Sequence, residues 1–214
     1  MYKNEFKPVM DLLDKVTNYA IDEFFTSKGL DIGPVGILIH RKRGAYGYCY
    51  SSDNWNIEDN NVREIALTPA CLTKGKEQII NTALHEAVHA YDCHNGIKDG
   101  SGKNHNKNFK KTCDLIGLGC EKGEKYGYTT SPELNSEECK ARIESIFAKL
   151  TDNEIYMLDH MEEVLPEKEE KEKKDRNLAV YICPNCGAKA RAKKDAHLIC
   201  GDCMLPMECD ESDN

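Results

Sequence analysis

Two histidines four residues apart, in His85-Glu86-Ala87-Val88-His89, lie in a stretch whose apolar residues Ile79, Ile80, Ala83, Leu84, Ala87 and Val88 recur at helical spacing. Residues i and i+4 leave a helix on the same face, one turn apart. The chain must therefore build a helix from Lys76 to about Cys93, with two imidazoles on one side and an aliphatic surface on the other. Such a pair can grip one zinc ion, which lowers the pKa of its water and polarises a carbonyl. Glu86, next to the first ligand, can take a proton from that water during attack on a peptide bond and pass it to the leaving amine.

A catalytic zinc needs a third protein ligand and an open position. His94 misses by one residue the offset that a metzincin uses, and stands as a helix-end residue. Glu137 or Glu138 could serve as the ligand of a Glu-type zincin, but nothing in the sequence selects either. His105 is the stronger candidate. It follows the glycine- and serine-bearing loop Ile97 to Asn104 and opens a helical segment to Leu118, with Phe109 as a core anchor.

The rest of the chain supplies the frame. Residues 3 to 29 carry Phe6, Val9, Met10, Leu13, Val16, Ala20, Ile21, Phe24 and Phe25 at amphipathic-helix spacing. Val35 to Arg41, Ala45 to Tyr50 and Arg63 to Thr68 read as strands of a small, mainly antiparallel sheet, divided by Gly44 and the polar loop Ser51 to Asn61. His40 is expected to be a strand histidine. Two later helices are expected, Ser136 to Leu150 and Thr151 to Leu165, the second with a Thr151/Glu154 capping box and ended by Pro166. Residues 167 to 176 contain no apolar side chain and read as a solvated linker or helical extension.

Beyond that run the character changes. Cys183-Pro-Asn-Cys186 and Cys200-Gly-Asp-Cys203 are two CxxC knuckles, and four thiolates so spaced can close a structural zinc site that holds together a module too small for a core of its own. The eleven cysteines are odd in number and unevenly spread, which argues for metal ligation over a disulfide framework. Cys49, Cys71, Cys93, Cys113, Cys120 and Cys139 are expected to be small buried hydrophobes, and Cys209 a spare thiol.

From Val35 to Gly117 the chain resembles the SprT-like family of zinc metallopeptidases, which includes the Spartan proteases. The resemblance rests on the strands, Tyr46-Gly-Tyr-Cys with Trp55 after it, Ile65-Ala-Leu-Thr, the His85 motif, and His105 ahead of Asn108-Phe109. It implies an α+β, zincin-like domain over residues 1–120 and agrees with a zinc ribbon at 178–210, while the residues between, 121–177, read from their own pattern as a helical connector and charged linker. His85, His89 and His105 would hold a catalytic zinc with Glu86 as base, and Cys183, Cys186, Cys200 and Cys203 a structural zinc. Protein substrates are implied, DNA-attached proteins among them. The family's third histidine is commonly followed by glycine, where Asn106 stands here, and residues 119–177 match nothing in the family.

Composition narrows the setting. At 40% hydrophobic and 31% charged residues the chain reads as globular. It has no run of the ~18 apolar residues that a membrane helix needs and no secretory signal, so it is expected in the cytoplasm. Charge is balanced through residue 120, −6 over 121–177 and −2 beyond, for a total of −8. An acidic chain has no global attraction to nucleic acid, so any binding would fall to a local patch such as Lys189, Arg191, Lys193 and Lys194. The rival to a peptidase is a non-enzymatic, zinc-stabilised module that binds nucleic acid or protein. Glu86 discriminates, because a purely structural site has no need of a carboxylate beside an open metal position. Tyr46, Tyr48, Tyr126 and Tyr128 are all candidates for stabilising an oxyanion.

Overall fold

The computed structural model describes residues 6–50, 55–57, 60–125, 127–164 and 178–210. The charged run at 167–176, Leu165, Pro166 and Tyr126 lie outside the described residues. The chain divides into two compact units, Met1–Pro166 and Glu167–Asn214.

In the first unit helix α1, Lys7–Phe24, starts with a proline in its first turn, where the missing N–H costs nothing. It buries Val9, Leu13, Val16, Ala20, Ile21 and Phe24 of the stripe that the spacing predicts, together with Leu12, whereas Phe6 is exposed and Met10 half-buried, and the chain turns at Gly29 with φ +71°. Strands β1 (Val35–Ile39), β2 (Gly47–Cys49), β3 (Trp55–Ile57) and β4 (Asn60–Leu67) follow. β4 is central. It pairs in parallel with β1, from Val35↔Arg63 to Ile39↔Leu67, and antiparallel with β2 and β3 on its other side. Two of the three pairings are thus antiparallel. β3 went unread in the sequence because it sits in a polar loop and exposes Trp55 and Ile57.

Short helix α2 (Pro69–Leu72) leads into α3 (Lys76–His94), the helix that the His-Glu motif demands. α3 packs against α1, β2 and β4. It is covered on several sides, which is why Asn81, Thr82, Glu86 and Asp92 are buried along with its aliphatic face. Arg63 Nη1 donates to the Ala90 carbonyl and ties the central strand to this helix.

A two-residue hairpin, β5 (Gly100–Ser101) and β6 (Asn104–His105), precedes α4 (Lys107–Ile116). The expected helix start at His105 is therefore displaced by two residues. Asn106 is the N-cap, its side chain accepting from Asn108 N at 2.7 Å, and a side-chain oxygen there satisfies an amide that the helix cannot. Hairpin β7 (Cys120–Lys122) and β8 (Tyr128–Thr130) comes next, then α5 (Glu137–Phe147), capped by Ser136, and α6 (Asp152–Asp159), with the expected Thr151/Glu154 capping box. The segment read from the sequence as a helical connector adds Cys139, Ile143, Ile146, Phe147, Leu158 and Met161 to the same core as α1 and α3. Each fully buried Leu, Ile or Phe of that core contributes roughly 1.5–3 kcal/mol.

The second unit is a three-stranded antiparallel sheet of β9 (Leu178–Ile182), β10 (Lys189–Lys193) and β11 (Glu208–Asp210), with β9 in the middle. Tyr181 is its buried aromatic, with its hydroxyl at the carbonyls of Lys193 and Lys194. The whole is of α+β class, and no described helix is long and apolar enough to cross a membrane.

Candidate metal centre

α3 presents His85 and His89 on one face, and β6 brings His105 to them. One nitrogen from each ring lies within 4.8 Å of the other two. The three ring centroids are 4.8–5.0 Å apart, and Phe109 of α4 backs all three at 4.3–5.0 Å. The expected core anchor is thus also the wall of the site.

Each ring is oriented through Nδ1. His85 Nδ1 lies 2.9 Å from Thr130 Oγ1, His89 Nδ1 2.5 Å from Asp99 Oδ2, and His105 Nδ1 2.7 Å from the Tyr128 carbonyl. With three Nδ1 atoms so engaged, the three Nε2 atoms remain to converge. Three oriented imidazoles beside a cleft are the donor set of a three-histidine zinc site with a position left open, so the residues fit zinc.

Electrostatics favour the neutral form that a metal ligand needs at two of the three rings. Burial holds His85 well below the usual histidine range, with His89 and His105 adding to it, and burial likewise lowers His105. At His89 burial is opposed by the Asp99 hydrogen bond and by Glu86, Asp99 and Asp92, and the net shift is upward. Glu86 is buried, and its carboxyl is pushed up to about 7 by burial, against the pull of His89 and Lys42. Its seat exists because β2 carries glycine opposite it: a Cβ on Gly47 would stand 2.8 Å from Glu86 Oε1.

These groups open on a cleft of ≈ 940 Å³ lined by β2, the loop before it, α3, and the β5–β6 turn. The other expected participants fall elsewhere. His94 ends α3 beside Asp31 at 3.5 Å, Glu137 pairs with Lys140 at the exposed start of α5, and Glu138 is exposed there too. His40 lies one residue beyond β1 and meets the Tyr48 hydroxyl at 2.5 Å. Tyr48 also reaches Glu64, Tyr46 lines the cleft, and Tyr128 enters through its carbonyl.

Sequence reasoning missed Asp99, Thr130, the Tyr128 carbonyl and Gly47. Asp99 could have been found, since it is the only acid in the loop between His94 and His105 and ligating histidines commonly donate to a carboxylate. Thr130 carried no local signal, being 45 residues from His85.

In the second unit Cys183, Cys186, Cys200 and Cys203 gather their sulfurs within 4.8 Å of one another. The knuckles repeat one turn: Gly187 N and Met204 N bond back to the carbonyls of Cys183 and Cys200, and both residues take positive φ. Backbone N–H groups of Cys186 and Asn185 bring the Cys183 thiol down to about 7, toward the thiolate a metal needs. Four cysteine sulfurs gathered this closely support a zinc ribbon. Cys209 is exposed on β11, apart from this group. Of the six scattered cysteines, Cys71, Cys113 and Cys139 are buried and Cys49, Cys93 and Cys120 half-buried.

The sequence model of the SprT-like family matches residues 13–125, more than half of the chain. No curated protein and no solved structure matches it.

Proposed function

This chain belongs to the SprT-like family, and on that premise we propose that it is a zinc-dependent peptidase hydrolysing peptide bonds of protein substrates. One observation carries the reading: a buried carboxylate, Glu86, stands beside three converging imidazoles at the floor of an open cleft. A structural site would be closed and would need no such base. Zinc held by His85, His89 and His105 would supply Lewis acidity and a water of lowered pKa. Glu86, seated against Gly47, accepts the proton of the attacking water and delivers it to the leaving nitrogen.

The strand β2 offers a place for the substrate chain. Thr68 N donates to the Tyr46 carbonyl and Tyr50 N to the Glu64 carbonyl, so these residues face β4. By the alternation of an antiparallel ladder, the backbone groups of Gly47 and Cys49 face the other way, and both residues line the cleft. An extended peptide can add there as a further strand, next to Glu86.

DNA-associated proteins are the substrate class that family membership favours. Lys189, Arg191 and Lys193 are exposed at alternate positions of β10 and are the local patch that could recruit nucleic acid to an otherwise acidic chain. The four cysteines would hold a second, structural zinc. The test is zinc stoichiometry on wild type, His105→Ala and Glu86→Gln, with cleavage of casein and of a DNA-bound protein. Two zincs in wild type, one in His105→Ala, and full metal without cleavage in Glu86→Gln are expected. A zinc-loaded wild type that cleaves neither substrate would leave a zinc-stabilised binding module as the better account, and cleavage that survives Glu86→Gln would remove Glu86 as the base. Equal cleavage of the bound protein with and without DNA would remove DNA from the reading.

A further inference from the structure

The segment after α4 lies mostly beyond the residues that the family model matches, yet it reaches two of the three histidines. β8 supplies the Thr130 hydroxyl to His85 and the Tyr128 carbonyl to His105. Behind Thr130 runs a chain of polar contacts. Asn81 Nδ2 donates to Thr130 Oγ1 at 3.4 Å, Asn135 Nδ2 donates to Asn81 Oδ1 at 3.2 Å, and Gly119 N donates to Asn135 Oδ1 at 2.9 Å. Asn81 and Asn135 are 1% and 5% exposed, so these bonds form away from water. Buried amides are costly to leave unpaired, so a chain in which each carbonyl oxygen accepts from the next N–H holds its members in register.

Asn81 sits one turn before His85 on α3, so the chain joins the ligand-bearing helix to both ends of the β7–β8 hairpin. Two glycines allow the close fit. A Cβ on Gly119 would strike the backbone of Leu134 and Asn135, and one on Gly127 would strike the backbone of His105. Gly127 and His105 are also bridged as parallel strand partners.

We propose that Thr130, Asn81 and Asn135 are positioning residues for the metal centre: they dock β8 on α3, so that Thr130 fixes the ring plane and tautomer of His85. In that tautomer Nδ1–H donates to Thr130 Oγ1 and Nε2 keeps its lone pair for the metal. The proposal rests on the metal-centre reading above, but its readout is metal affinity rather than cleavage, so the two can fail separately.

The experiment is a chelator titration of the full-length, zinc-loaded chain, counting zinc released, for wild type, Thr130→Val, Thr130→Ser, Asn81→Ala and Asn135→Ala. The ribbon's zinc serves as an internal reference. The zinc of the three histidines is expected to leave Thr130→Val at roughly ten- to hundred-fold lower chelator strength, as loss of an outer-shell partner does elsewhere. Thr130→Ser should restore wild-type retention, and Asn81→Ala and Asn135→Ala should weaken it in the same direction. Thr130→Ala, which adds no methyl group, keeps the test available should the valine variant not fold. Retention equal to wild type in folded Thr130→Val or Thr130→Ala overturns the proposal. So does a serine variant as weak as the valine one, because the hydroxyl would then not be what matters.

Discussion

Replacing Gly47 by alanine puts one methyl group against the carboxylate on which the proposed chemistry depends. Gly47 is not among the glycines with positive φ, so alanine meets no backbone strain and the substitution is a steric probe. The new Cβ would lie 2.8 Å from Glu86 Oε1, 2.9 Å from Glu86 Cγ and 2.8 Å from Thr82 Cγ2. Ordinary carbon contacts are about 3.5–4.0 Å, so Glu86 must retreat by roughly 0.5–1 Å. Overpacking of this kind costs about 1–3 kcal/mol of stability. Displacing a reacting group by that distance costs on the order of 100-fold in rate, or about 2.7 kcal/mol of transition-state stabilisation. Peptide hydrolysis should therefore fall by about two orders of magnitude while zinc content stays at the wild-type level. Thr82→Ser removes the Cγ2 contact and leaves those with Glu86. Added to Gly47→Ala, it should recover part of the thermal stability and little of the rate. A folded Gly47→Ala protein with wild-type turnover would refute the reasoning, for the position of Glu86 against β2 would then be irrelevant to catalysis.

Three further outcomes are expected. Asp99→Asn removes the carboxylate that accepts a hydrogen bond from His89 Nδ1, 2.5 Å away, and chelator competition should show about ten- to hundred-fold weaker zinc retention at the three histidines, with the ribbon's zinc unaffected. In the zinc-free chain, Asp92 is fully buried with its Oδ2 unpartnered, and its carboxyl is raised to about 6, by burial first. A raised carboxyl favours the folded state while protonated, so its contribution is whole below about pH 4 and is lost as pH rises through 6, by up to about 2–3 kcal/mol. Chemical denaturation of wild type and Asp92→Asn should diverge over that window, and a difference independent of pH would sink the assignment. Cys200→Ser, or zinc removal, should collapse the amide signals of β9–β11 while those of α1 and α3 persist, because among the described residues of the ribbon Tyr181 is the only buried side chain besides cysteines.

What the sequence could determine alone was whatever depends on short spacing. Helical periodicity placed α1 and α3, the i, i+4 relation put His85 and His89 on one face, Thr151 and Glu154 announced a capping box, and two CxxC pairs announced a tetrahedral cluster. Even the choice of His105 followed from its loop and from Phe109, both within a few residues of it. The start of α4 was legible only in part, because the capping strength of Asn106 decides it by two residues. Tertiary structure decided what depends on contacts between distant segments. That β4 pairs in parallel with β1 is a matter of which strands meet, and period-two alternation is silent on direction. The helices after Asn135 carry the same apolar pattern whether they form a connector or join a core, and only packing sends Ile143, Ile146 and Phe147 into that of α1 and α3. The buried Asn81 and Glu86 look like lapses in an apolar helix until Asn135 and Gly47 arrive from other elements to pair with one and make room for the other. Local periodicity is set by the geometry of a single helix or strand, whereas the partner of a buried polar group is set by the closure of long loops, which no short window of sequence records.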